Sequence, residues 1–119
     1  MKQLTFASLQ VKDLKASRDF YVEKLGFEID NENPHACVFK YDKGQASFAI
    51  RTPLETLEDR ELGVGVAIWF AIEESVDELR NKYIEDQIQN IGPIIETPFG
   101  RAFHVQDIDG YKLTFLNEI

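Results

Sequence analysis

The 119-residue chain holds one cysteine, Cys37, and only two histidines, His35 and His104. One cysteine excludes an internal disulfide framework and a cysteine-rich zinc site. It also makes a reducing compartment, the cytoplasm, the expected setting. Basic residues are scarce: 13 Lys and Arg stand against 21 Asp and Glu, for a net charge of -8, and they form no block. A phosphate-backbone partner is thereby excluded, and no nucleic acid is expected. The acidic balance favours solubility and would also suit a cationic ligand. No apolar run approaches the roughly 18 residues that a membrane helix needs, so no membrane partner is expected. The opening MKQLTF passes at once into a strand-like pattern, unlike a signal peptide.

What is present is enough to build a core. Hydrophobic residues make up 44% of the chain and include 9 Phe, 4 Tyr and 1 Trp. The order of signals repeats once along the chain. In residues 4–51 an alternating run, Leu4 to Val11, precedes Asp13, whose side chain can cap a helix. Leu14, Ser17, Phe20, Tyr21 and Leu25 then recur at helical spacing, and Gly26 ends that helix. In residues 66–117 the strand VAIWFAI (Val66–Ile72) leads to a helix capped by Ser75. That helix is marked by Val76, Leu79, Tyr83, Ile84 and Ile88 and is expected to run on until Asn90, Gly92 and Pro93 stop it. Each half closes with three strand-like runs, expected in the second at Ile94–Glu96, Arg101–Gln106 and Lys112–Leu116. These signals predict an α+β fold of two βαβββ modules, 1–52 and 66–119, joined by a linker at 53–65.

Turn chemistry sets the faces. A two-residue turn at Lys43-Gly44 places Tyr41 opposite Ala46, Phe39 opposite Phe48 and Cys37 opposite Ile50. Period-two alternation assigns Cys37, Phe39, Tyr41, Phe48 and Ile50 to the helix side, and Val38, Lys40, Ser47, Ala49 and Arg51 to the other. By the same parity Ile68, Phe70 and Ile72 face the helix while Ala67, Trp69 and Ala71 point away. Phe103, Val105, Leu113 and Phe115 also face the helix, whereas Ala102, His104, Gln106, Thr114 and Leu116 do not. Asp107-Ile108-Asp109-Gly110 reads as a turn held by Asx hydrogen bonds, because it lacks the further ligands of a calcium loop. Gly63-Val64-Gly65 precedes a strand and is no dinucleotide loop.

Two stretches carry a family resemblance, VKDLKASRDFYVEKLGFEI (Val11–Ile29) and FGRAFHVQDIDGYKLTF (Phe99–Phe115). Together they resemble the vicinal oxygen chelate superfamily, the glyoxalase I, bleomycin-resistance and extradiol dioxygenase group. The first is similar to its V-x-D-L…S…FY…LGF opening and the second to its G-x-R…F-x-x-x-D-P-D-G ending, with Ile108 where proline is usual. The resemblance implies paired βαβββ modules with helices on the convex side of curved sheets and a ligand cavity on the concave side. It also implies a homodimer in single-domain members of this length. The family's metal enzymes place four ligands on the concave faces, and these positions carry over to Phe6, Ala49, Ala67 and Thr114. Phe and Ala have no donor atom, and a lone threonine hydroxyl is a weak ligand for a divalent ion.

The resemblance and the faces together give a cytoplasmic homodimer that binds an organic small molecule without metal, cofactor or catalytic residue. This is closest to the bleomycin-resistance-like branch, which sequesters an antibiotic or an aromatic or cationic metabolite. The expected ligand-binding residues are Phe6, Gln10, Arg51, Trp69, His104, Gln106 and Thr114. Trp69 offers an aromatic platform and Phe6 a second wall. Arg51 can hold a carboxylate, Gln10 and Gln106 offer neutral hydrogen bonds, and His104 is a polar pocket group. Cys37 belongs to the core and His35 to the surface. The alternatives are a metal-dependent lyase, isomerase or dioxygenase of the same superfamily, and a protein-interaction scaffold with a vestigial pocket.

Overall fold

The computed structural model describes residues 1–40 and 45–119. The expected turn at Asp42–Gln45, and the pairing of Tyr41 with Ala46, fall on or beside residues outside that description. The chain forms two compact units, Met1–Arg60 and Glu61–Ile119. Among the described residues no helix is long and apolar enough to cross a membrane.

In the first unit β1 (Phe6–Gln10) leads to helix α1 (Leu14–Asp19), then to β2 (Ile29–Asn33), β3 (Ala36–Phe39) and β4 (Ser47–Arg51). Asp13 Oδ1 accepts the Ala16 N–H at 3.1 Å and so starts the helix. A π-helical turn, Phe20–Lys24, follows α1. Gly26 then takes φ +85°, and the Phe27 N–H reaches back to the Tyr21 carbonyl at 2.9 Å, a Schellman-type stop. The sheet order is β1-β4-β3-β2, with β1 parallel to β4 and the rest antiparallel. Cys37 lies opposite Ile50 and Phe39 opposite Phe48, the register that the turn chemistry implied. Tyr21 from the π-helical turn stacks on Phe39 at 5.4 Å and meets Phe27 and Phe48 at 5.7 Å. Each buried aromatic of this kind contributes roughly 1.5–3 kcal/mol by leaving water.

The second unit repeats the plan with β5 (Ala67–Ala71), α2 (Val76–Glu85), β6 (Ile95–Thr97), β7 (Gly100–Gln106) and β8 (Lys112–Glu118), in sheet order β5-β8-β7-β6. Ser75 Oγ accepts the Asp77 N–H at 3.1 Å. A second cap comes from far along the chain. Asn117 Oδ1 accepts the Val76 N–H at 2.8 Å, while its amide donates to the carbonyls of Ile72 and Glu74. Tyr83, Phe103 and Phe115 make the matching aromatic core, with centroids 5.5–6.1 Å apart.

One expectation is corrected here. Helix α2 ends at Glu85, short of Asn90, because Gln87 adopts φ +61°. The Ile88 N–H then closes on the Tyr83 carbonyl at 3.1 Å, and Ile88 is still buried. An apolar residue that keeps helical spacing can reach the core from a left-handed turn as well as from a helix. The next strand correspondingly begins at Ile95.

The two units share one pairing plan. After β1 the Val11 N–H bonds to the Arg51 carbonyl at 2.9 Å, and after β5 the Ile72 N–H bonds to the Leu116 carbonyl at 2.9 Å. With these bonds as landmarks, Phe6 corresponds to Ala67, Ser8 to Trp69, and Ala49 to Thr114.

Candidate ligand-binding face

Each sheet has one face packed by its helix and one face opposite. Residues paired across neighbouring strands share a face, so the registers define transverse rows. In the second unit Trp69 pairs with Thr114 on β8, and Thr114 pairs with His104 on β7. Three of the seven expected site residues therefore form one row across three strands, on the face away from α2. The corresponding row in the first unit is Ser8, Ala49 and Val38. The repeat supplies the same backbone twice; each row carries a hydroxyl, and only the second adds an indole and an imidazole.

Local packing fixes each member of the row. Trp69 is 45% exposed and meets the 64% exposed ring of Phe99 edge-on, with centroids 6.1 Å apart at 83°. Such a pair forms a ready-made corner for a flat apolar group. Phe99 was not singled out from the sequence, because it sits in the turn before β7, where strand parity says nothing. Thr114 is only 5% exposed, so Trp69 and His104 present most of the accessible surface. His104 is half-buried beside Gly92, and burial holds its pKa below the usual 6.5, with the Lys112 charge adding to the effect. Its imidazole is accordingly a neutral hydrogen-bonding group near neutral pH.

Gln106 lies further along the same face in the row Ala67, Lys112, Gln106. It is exposed and borders a cavity of about 390 Å³, whose lining also includes Glu61, Val64, Ala67 and Lys112. Lys112 was not among the expected residues, although it shares the parity of Thr114.

Phe6, Gln10 and Arg51 belong to the first unit. Phe6 is 49% exposed on the face away from α1. Gln10 pairs with Arg51 across β1 and β4, but its Oε1 accepts the Leu54 N–H at 2.8 Å, so that oxygen braces the chain after β4. Arg51 Nε donates to the Thr52 carbonyl at 3.1 Å. A second cavity, of about 460 Å³ and lined by Lys12 and residues 53–58, includes none of these three.

The four positions that the family resemblance assigns to metal ligands, Phe6, Ala49, Ala67 and Thr114, fall on these faces. They offer one buried hydroxyl between them, which does not fit a divalent ion. Among the described residues no three His, Cys, Asp or Glu side chains lie together where they could hold one. Cys37 is buried, and burial raises its thiol pKa, which disfavours the reactive thiolate. Asp107 Oδ1 accepts the N–H groups of Asp109 and Tyr111, each at 2.9 Å, which makes the loop an Asx turn rather than a calcium site.

A sequence profile of the Glyoxalase/Bleomycin resistance protein/Dioxygenase superfamily matches residues 3–115. No match was found among curated protein sequences. The fold is similar to that of the bleomycin-binding protein from bleomycin-producing Streptomyces verticillus, solved with copper(II)-bleomycin. That comparison has a TM-score of 0.72 at 21% identity and covers 100% of this chain and 99% of the other. An antibiotic binding protein from Streptomyces sp. CB03234 gives 0.70 at 20% identity, over 100% and 98%. Lactoylglutathione lyase from Agrobacterium tumefaciens gives 0.74 at 17% identity, over 98% and 94%. At these identities the likeness is one of fold.

Proposed function

The chain belongs to the Glyoxalase/Bleomycin resistance protein/Dioxygenase superfamily, and on that footing we propose that it is a metal-independent binding protein for an organic small molecule. The observation that carries this reading is the row Trp69, Thr114, His104, extended by Phe99, on the sheet face away from α2. It combines an exposed aromatic corner with two polar groups, the composition expected of a site that holds a mostly apolar ligand and orients it with a few hydrogen bonds. The donor-poor metal positions support binding over Lewis-acid chemistry, since Ala and Phe cannot take the place of His or carboxylate. The bleomycin-binding and antibiotic binding proteins among the structural neighbours support an antibiotic or an aromatic metabolite as the class of ligand. The proposed setting is the cytoplasm and the proposed state a homodimer; sedimentation of the purified chain checks the second directly.

The test has two arms. A thermal-shift panel of glycopeptide antibiotics and planar aromatic metabolites should yield at least one ligand that raises Tm in the presence of EDTA. Elemental analysis of protein purified without chelators should show no stoichiometric Ni, Zn, Fe or Mn. A bound metal together with lyase, isomerase or dioxygenase turnover would replace this reading with the enzymatic one.

A further inference from the structure

We infer that the cavity beside the aromatic row is an anion subsite, so that the ligand is a planar aromatic molecule bearing a single carboxylate. This inference rests on the binding function proposed above and names the chemistry of its ligand. Lys112 precedes Thr114 by two positions on β8 and so stands on the same face, about 7 Å along the strand. Its neighbours across the sheet are Ala67 and Gln106. A ring lying over Trp69 would therefore project a substituent toward Lys112, with the Gln106 amide alongside as a hydrogen-bond donor.

Three further observations support the assignment. Lys112 is exposed and forms no ion pair with an acidic side chain among the described residues, whereas Lys15, Lys40, Arg18 and Arg101 all do. Its charge nonetheless reaches the row, since it helps hold the His104 pKa down. The cavity wall is also fixed in advance. Gly63 has φ +82°, and a Cβ there would come within 2.6 Å of the Gly110 carbonyl oxygen, so the 61–66 loop lies tight against the β7–β8 turn. The cavity of about 390 Å³ that they help to line leaves ample room for a charged substituent.

Glu61 is the other charged residue in the lining. It sets an upper limit on ligand charge, because a second negative charge would meet a carboxylate. A monoanion is thus favoured over a phosphate monoester. The acidic composition of the whole chain draws cations at long range, but a group seated beside Lys112 responds to that lysine first.

Calorimetric titration with three probes that share one ring system tests the inference: 2-naphthoate, 2-naphthamide and 2-naphthylmethylamine. Naphthoate should bind about tenfold more tightly than the amide, and the amine most weakly. Lys112→Met should abolish the preference for naphthoate over the amide, with an unaltered melting curve showing that the exposed substitution leaves the fold intact. Trp69→Ala should weaken all three. Equal affinities, a preference for the amine, an unchanged preference in K112M, or no binding of any probe would each overturn the anion subsite. The parent proposal fails separately, only if the wider thermal-shift panel also yields no ligand.

Discussion

The imidazole of His104 lies against the backbone of Gly92, so closely that a Cβ at position 92 would come within 2.5 Å of His104 Cε1. The Gly92 N–H also donates to the His104 carbonyl at 2.8 Å, and the Gly92 carbonyl accepts Arg80 Nε from α2 at 2.8 Å. Gly92 therefore seats a ligand-face side chain and ties its strand to the helix on the other side. Gly92→Ala should push the ring outward at a cost on the order of 1 kcal/mol in chemical denaturation. With less burial, the His104 pKa should rise toward 6.5, read from its Cε1 proton by NMR. An unchanged stability and titration would show that the contact has no influence on the ring.

Protonation of His104 in the native protein gives a pH dependence of known sign. Its folded pKa lies below the unfolded 6.5, first through burial and then through Lys112. The neutral ring is the one the fold accommodates, so its contribution is fully present above pH 6.5 and is lost as pH falls through the folded value. His104→Gln should flatten that part of the stability profile below pH 6.5. A fold that gained stability from this group on acidification would contradict the assignment. Because burial is the larger cause, Lys112→Met should raise the pKa only part of the way.

Ser17 is fully buried in α1, and its hydroxyl has no hydrogen-bond partner among the described residues. A buried, unsatisfied polar atom is a liability, and alanine is also the better helix former. Ser17→Ala should stabilise the protein by roughly 1 kcal/mol in urea unfolding. A loss of stability would mean that the hydroxyl is satisfied in solution.

Asn117 satisfies three backbone groups at the start of α2 with one side chain. Asn117→Ala leaves the Val76 N–H and two carbonyls to find other partners, and should cost about 1–3 kcal/mol. Hydrogen exchange at Val76 should speed up in the variant relative to the amides of the first unit. Uniform protection across both units would argue that Asn117 has no special role there.

The sequence carried the fold where local chemistry and tertiary need coincide. Asp13 and Ser75 cap their helices, Gly26 takes the left-handed turn, and Cys37 and Phe39 pair with Ile50 and Phe48. Parity was enough to put Trp69, His104 and Thr114 on one face, because β5, β7 and β8 have no bulge in their ladders. Other features depend on contacts that no local pattern encodes. Asn117 caps a helix that starts 41 residues earlier, and Phe99 reaches Trp69 from a turn. The early end of α2 was hidden because Ile88 stays buried after the helix stops. The face of Lys112 could be read from parity, but its lack of an acidic partner could not.

The proposed binding face puts Trp69 at a ligand contact that needs no metal. Its fluorescence tests this most directly, because it is the only tryptophan in the chain. EDTA-treated protein is titrated with a ligand that raised Tm in the thermal-shift panel, and the emission is followed to saturation. A saturable change in intensity or wavelength, the same before and after EDTA, is expected. Emission that stays constant at saturation, or changes only once Ni, Zn, Fe or Mn is restored, would contradict it.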